Sequence, residues 1–364
     1  MLYYGQNRSM FKTKTFLTMK IKTMKMKSII IFSLSLLVSV AVTSCKKKKE
    51  EEPTPTVQSY TKADDASARN ELDRAQDDIE SVYNSQDYAN ARASAVVLPC
   101  GNVSLSGKNF TIKYNGVNCG TRVLSGSISV TLVADAGITK FSDVNARLKV
   151  DFLNYVVYYN ASKEKLTYNG TTYITNLTGG TLSSLFTNTQ GIVSHKVRGA
   201  LSITFDTLGT STVNRTWNIF RKKTFTSNGT QTGISLKLEG DTTVAADTYM
   251  PGAYSNVSAY GIDVKGLKFV QEIPTPFNWE NCGTTYSGPY VLKQGKVVHT
   301  SDASTTSLGA NWIYQFSATA GYKLGTSGYV PDGTCTSNGY FIEWQAKNTA
   351  TSAVLVNYST YQLY

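Results

Sequence analysis

Histidine is nearly absent from this chain: His195 and His299 are the only two in 364 residues. A Ser-His-Asp triad or an imidazole proton shuttle has almost nothing to draw on. Both are read as packing or solvent-facing residues, His195 in a loop-like stretch (191–196) and His299 near a strand end. H-E-x-x-H, G-x-S-x-G, a phosphate-cradling Gly-Lys loop and EF-hand spacing are all missing. No C-x-x-C occurs, which removes the usual zinc frameworks. No metal and no cofactor is therefore expected. Long apolar runs are lacking too. The longest, residues 29–42, is broken by Ser33, Ser35 and Ser39 and falls short of the roughly 20 residues a spanning helix needs.

What that run does fit is an export signal. Lys20, Lys22, Lys25 and Lys27 precede it, and Val42-Thr43-Ser44-Cys45 comes after it with the small residues and cysteine of a bacterial lipobox. Residues 1–44 then read as a signal peptide whose true start is Met24 or Met26. Cys45 is the expected lipidation site, with the membrane reached through its acyl chains. Residues 45–60, with Lys46 to Lys49, Glu50 to Glu52, Pro53 and Pro55, read as a flexible tether. This reading also reduces the net charge of +11. Seven of the 36 basic residues and none of the 25 acidic ones precede Cys45, leaving 29 against 25, or +4. Nucleic acid is not an expected partner.

Removing Cys45 from the five cysteines leaves Cys100, Cys119, Cys282 and Cys335. An even number in an oxidising compartment suggests two disulfides, with three possible connectivities. The local pairing, Cys100 with Cys119 and Cys282 with Cys335, keeps each bridge inside one proposed domain.

Residues 61–94 hold the one strong helical pattern. Ala68, Leu72, Ala75, Ile79 and Val82 make a single apolar stripe, opposite an acidic face of Glu71, Asp73, Asp77, Asp78 and Glu80. Asp64 and Asp65 suit its start and Asn84-Ser85 its end, and the helix is expected to dock on the β domain. Beyond residue 95 the period changes to two. Ile128, Val130 and Leu132 alternate with polar residues, as do Leu201, Ile203 and Phe205, and Ile234, Leu236 and Leu238. Asn115-Gly116, Asn169-Gly170, Gly179-Gly180 and Asn228-Gly229 read as turns between strands. The fold class is all-β: two antiparallel sandwich- or barrel-like domains, 95–272 and 273–364, divided at Pro274-Thr275-Pro276 and preceded by the helix.

Paired carboxylates for glycoside hydrolysis could come from Asp151, Asp206, Asp263, Glu272, Glu280 or Glu343, but spacing alone brings no two together. Asp332-Gly333-Thr334-Cys335 reads as a turn tied down by a disulfide. Aromatic residues give the better functional hint. Trp279, Asn281, Tyr286, Tyr290 and Trp312 combine ring faces with amides, the make-up of a glycan or peptide platform.

Several segments resemble a family of uncharacterised Bacteroidota lipoproteins. They are Cys100-Gly101-Asn102-Val103, Cys119-Gly120-Thr121-Arg122, Asn214-Arg215-Thr216-Trp217-Asn218, Pro276-Phe277-Asn278-Trp279-Glu280-Asn281-Cys282 and Asp332-Gly333-Thr334-Cys335. The resemblance implies an envelope lipoprotein with β structure and paired cysteines, and carries no established activity. Relatives often have an acid directly after the last cysteine, where this chain has Thr336, so no metal role is carried over there. Lys49-Glu50-Glu51-Glu52 is similar to tethers associated with surface display in that group. Asp206-Thr207-Leu208 and Asp241-Thr242-Thr243 resemble its short O-glycosylation triplets. The expectation is a surface-facing outer-membrane lipoprotein, non-enzymatic, that binds a glycan, a peptide or another envelope protein. A carboxylate-dependent glycosidase and a purely structural scaffold are the alternatives.

Overall fold

In the computed structural model, the described residues are 59–85, 88, 96, 98–186, 191–206, 212–227, 233–283, 290–326 and 328–363. The lipobox, the signal segment and most of the tether lie outside them. Helix α1 spans Ser59–Tyr83 and a short α2 spans Leu182–Phe186. The strands are β1 Asn102–Ser106, β2 Asn109–Cys119, β3 Arg122–Leu132, β4 Arg147–Tyr159, β5 Lys165–Asn176, β6 Ile192–Asp206, β7 Val213–Ser227 and β8 Ile234–Glu239. They continue as β9 Val257–Ile262, β10 Lys268–Asn281, β11 Tyr290–Asp302, β12 Trp312–Gly325, β13 Gly328–Pro331, β14 Gly339–Asn348 and β15 Val354–Leu363. The protein is all-β apart from the helices, and the fifteen strands among the described residues belong to one antiparallel sheet.

Strand order tracks chain order from β1 to β8, then β10, β11, β12, β14 and β15. The exceptions are short. β8 and β9 lie end to end between β7 and β10: β9 pairs with Trp217 to Ile219 of β7, and β8 with Lys222 to Ser227. β13 folds back on the end of β12.

The proposed boundary at Pro274-Thr275-Pro276 is not a linker. It is the bulged middle of β10, where the pairing with β11 shifts register on both sides of Thr275. Proline is tolerated there because a bulge leaves backbone groups outside the ladder. Among the described residues there are two large apolar cores and a small third cluster of Ala246, Met250, Val257 and Val270, but long strands run through both large cores. Trp217 and Ile219 of β7 belong to the first and Phe225 to the second; in β10, Phe269 belongs to the first and Phe277 and Trp279 to the second. A hinge between residues 272 and 273 would cut a strand.

Two of the Asn-Gly pairs are also inside strands. Asn115-Gly116 lies at a register shift in β2, with Gly116 at φ +70°. Asn169-Gly170 lies in β5 opposite the bulge of β4, where Asn154 (φ 49°) donates its backbone N–H to Asn169 Oδ1 at 2.8 Å. Such a bulge needs a close neighbour without a side chain. On β3, a Cβ at Gly126 would stand 1.8 Å from the Asn154 carbonyl oxygen. Bulges of this kind bend a sheet. Gly179-Gly180 does lie in a loop, and Asn228-Gly229 falls outside the described residues.

The bend encloses α1. Its apolar stripe is buried as expected, with Ala68, Ala75, Ile79 and Val82 fully inaccessible and Leu72 nearly so. Arg69, Glu71, Asp73, Gln76 and Glu80 are buried as well, so the sheet covers more than one side of the helix. Both disulfides have the local pairing: Cys100–Cys119 and Cys282–Cys335, with Cα atoms 5.8 and 5.6 Å apart. No helix among the described residues is long and apolar enough to cross a membrane.

Candidate functional site

Among the described residues, three places that gather chemistry-bearing side chains bear on function; a further cluster, Asp241 with Lys196, Arg198 and Thr243, is a closed ion-pair network. The first is the buried seam between α1 and the sheet. Glu71 takes Arg74, Arg122 and the Tyr159 hydroxyl (2.9 Å), Asp73 takes Arg221, and Lys223 lies 3.0 Å from Glu80 and 3.5 Å from Asp77. Tyr114 donates to Asp78 at 2.7 Å and Tyr168 to the Ala68 carbonyl at 2.7 Å. Burial pushes Asp77 well above the usual carboxylate range despite the neighbouring Lys223. Burial likewise takes Asp78 up to about 6, against the opposing hydrogen bond from Tyr114. For Lys223, burial works the other way, yet Glu80, Asp77 and Asp73 raise it overall. A cavity of ≈ 10 Å³ lies between Asp73, Glu80, Lys223, Phe225 and Trp279, room for about one water. It is far too small for a substrate, and its charges are consumed in holding the helix.

His195 belongs to this seam rather than to a loop. It is 1% exposed on β6 and its Nδ1 is 3.1 Å from the Tyr83 hydroxyl. Burial lowers it to about 3, with Lys223 adding to the effect, so it is neutral in the fold. The stretch looked loop-like because its polar residues, Ser194 and His195, are buried at successive positions of a strand, where each finds a bonding partner.

The second place is Asp263, Ser301 and His299. Ser301 Oγ is 3.3 Å from Asp263 Oδ2 and 3.1 Å from His299 Nε2. The order is wrong for nucleophile activation, because the serine stands between the acid and the imidazole instead of the imidazole between the other two. Ser301 and Asp263 are also buried. Asp263 accepts the backbone N–H groups of Lys265 and Leu267 and closes the turn after β9. This triplet is structural.

The other carboxylates considered for hydrolysis are dispersed. Asp151 pairs with Lys149 and Thr171, Glu272 accepts the Ser255 N–H, and Glu280 pairs with Lys293 at 2.6 Å. Asp206 closes β6, and Glu343 lies on β14 with Ser317 donating to it. Among the described residues no three His, Cys, Asp or Glu side chains gather as a metal site. Asp332 is filled by its own turn: Thr334, Ser337 and Thr336 all donate to it, holding it down at about 2.

The aromatic platform expected from sequence is not assembled. Trp279 is 2% exposed and stacks on Phe277 in the second core. Tyr290 pairs across the ladder with Asn281 and packs on that core. Trp312 lies at the far end of the same ladder, where β12 begins, while Tyr290 begins β11. Antiparallel pairing therefore places them about a strand length apart. Asn281 accepts the Gly283 N–H, and Tyr286 lies outside the described residues.

A platform does exist elsewhere, and it is the third place. On the outer side of β12 to β15, Tyr361 lies 4.6 Å from Phe341, 4.8 Å from Tyr329 with the rings nearly parallel, and 5.3 Å from Tyr322. Each is half-buried or exposed. Alternate positions of β14 put Glu343 and Gln345 on the same face as Phe341, and Gln345 donates to Gln315 of β12 at 2.7 Å. The Cys282–Cys335 bridge secures the adjoining turn, whose Thr336 accepts from Lys323 at 3.2 Å. Ring faces, two amides, a carboxylate and hydroxyls thus share one surface. The four rings come one each from β12, β13, β14 and β15, so no pattern within a strand marks them, and only the register tells which aromatics meet.

Compared with family models, with characterised proteins and with solved structures, the chain matches none.

Proposed function

We propose that this protein is an outer-membrane lipoprotein, anchored through Cys45 and facing the cell surface, whose β body is a non-enzymatic glycan-binding module. The observation that carries the binding reading is the open cluster of Tyr322, Tyr329, Phe341 and Tyr361 beside Glu343, Gln345 and Gln315. Aromatic faces are electron-rich and attract the weakly positive C–H faces of a sugar ring, while amides and carboxylates bond its hydroxyls. The lipobox and charged tether support the address, as does the resemblance to Bacteroidota envelope lipoproteins.

The test is titration of the purified full chain against a panel of surface polysaccharides, with Tyr361→Ala and Tyr329→Ala beside it. Binding weakened by about 1–3 kcal/mol in each variant is expected, the range for losing an aromatic contact. Cleavage of a polymer would overturn the non-enzymatic reading, and equal binding by the variants would remove the platform. Acyl labelling and protease shaving of intact cells, with Cys45→Ala as reference, test the anchor and the leaflet.

A further inference from the structure

Among the described residues the sheet ends at two edge strands, β1 and β15, and they are built differently. β1 is five residues long and carries none of the large exposed apolar side chains. β15 is ten residues long and contains no charge, no proline and no glycine. Among the described residues it pairs only with β14, and its other side has a row of backbone N–H and C=O groups that no described strand takes up. Val354, Leu355, Tyr358, Tyr361 and Leu363 are 48, 60, 56, 39 and 53% exposed. Sheet edges are normally blunted by lysine, proline, shortness or bulges. Here the single register shift, between Ala346 and Lys347 of the partner strand, touches only the beginning of β15.

From this we infer that β15 is an interaction edge, and that its occupant is β15 of a second copy of the chain, added antiparallel. Three features select that occupant. The strand is neutral throughout, so it meets its own copy without like-charge repulsion and offers nothing to a charged partner strand. Its pattern is self-complementary: in the two-fold register centred on Tyr358, that residue faces its counterpart and Leu355 falls opposite Tyr361. Pairing with β1 of a neighbour would cover half of β15 and propagate as an open filament, whereas the self-pairing closes as a two-fold dimer. The exposed side chains flank the ladder on both faces of the strand, Tyr358 across from Trp344 and Tyr361 across from Phe341, so the added strand is held chiefly by its backbone hydrogen bonds. Because Tyr361 belongs to the aromatic platform, the dimer sets two platforms side by side on one continuous sheet.

The experiment is cysteine crosslinking of the full chain in its own membrane, read on gels without reductant. Tyr358→Cys is expected to give a band of doubled mass, while Ser304→Cys, on an exposed turn away from the edge, stays monomeric. Sedimentation of the detergent-purified full chain gives the second readout. Tyr358→Lys, at an exposed position that leaves thermal unfolding unchanged, should raise the dimer dissociation constant at least about tenfold. A wild-type chain that is monomeric at all concentrations overturns the inference, as does a dimer indifferent to Tyr358→Lys. Equal crosslinking at 304 and 358 overturns it too.

Discussion

The two larger cores of the single sheet are filled by different means. The first closes over a helix and sets charge inside: Glu71 against Arg122, Asp73 against Arg221, Glu80 against Lys223. The second is closed by side chains of its own strands, such as Phe277, Trp279, Phe316, Ile342 and Trp344. No described strand covers its neighbouring edge. A buried ion pair attracts strongly but has lost its hydration, so its net contribution is small while the penalty for breaking it is large. An apolar core gains from burial itself. One end of the protein should therefore respond to pH and to single charge losses, and the other mainly to lost volume.

The largest test of that contrast is acid. His195 sits at about 3 in the fold against about 6.5 unfolded. The unfolded chain therefore takes up a proton that the fold refuses. The contribution is complete above about pH 6.5 and is lost as pH falls toward 3, about 4–5 kcal/mol in all. Asp78, raised to about 6, acts in the opposite sense. The fold protonates it first, so stability gained between about pH 6 and 4 offsets part of the histidine loss. Hydrogen exchange at pH 3.5 should show β2 to β7 opening before β11 to β15. Simultaneous opening would refute the division.

Next come single deletions, read by thermal or chemical unfolding. Arg221→Ala leaves Asp73 buried without its partner and should cost about 3–5 kcal/mol. Trp344→Ala in the second core should cost a similar 3–5 kcal/mol through a cavity. Paired replacement separates the mechanisms: Arg221→Met with Asp73→Leu should restore most of the stability. If the double variant is as unstable as Arg221→Ala, the seam is held by packing rather than by charge.

The disulfides come close behind. Closing 53 residues, Cys282–Cys335 should contribute about 4 kcal/mol, and Cys100–Cys119, closing 19, about 3 kcal/mol by chain entropy. Double serine variants compared in one denaturant series check both values. Smallest is Tyr329→Ala on the platform, expected within about 0.5 kcal/mol of the parent because the ring is only half-buried. A larger loss would mean that the cluster is a structural element.

Much of the fold was legible in the residues themselves. The period-two runs at Ile128, Leu201 and Ile234 are strands with their apolar faces buried, the helix lies where its stripe places it, and the cysteines pair locally. The misreadings share one cause. Asn115-Gly116, Asn169-Gly170 and Pro274-Thr275-Pro276 are local breakers of regular structure, and the chain uses them to bend or bulge long strands. A breaker looks the same whether it ends a strand or kinks it, because the difference lies in the neighbouring strand.

The candidate site was less legible for a related reason. Trp279 and Trp312 are close in type but separated by the ladder, while Tyr322, Tyr329, Phe341 and Tyr361 meet across four strands. Sequence alone determined the strand content, the helix and its acidic residues, the cysteine framework and the poverty of histidine, since each depends on local periodicity or on counting. Tertiary structure decided that the acidic face turns inward onto Arg122, Arg221 and Lys223, that one sheet holds more than one core, and which aromatic rings share a surface. Those outcomes rest on register and sheet curvature, which are set by contacts between residues far apart along the chain.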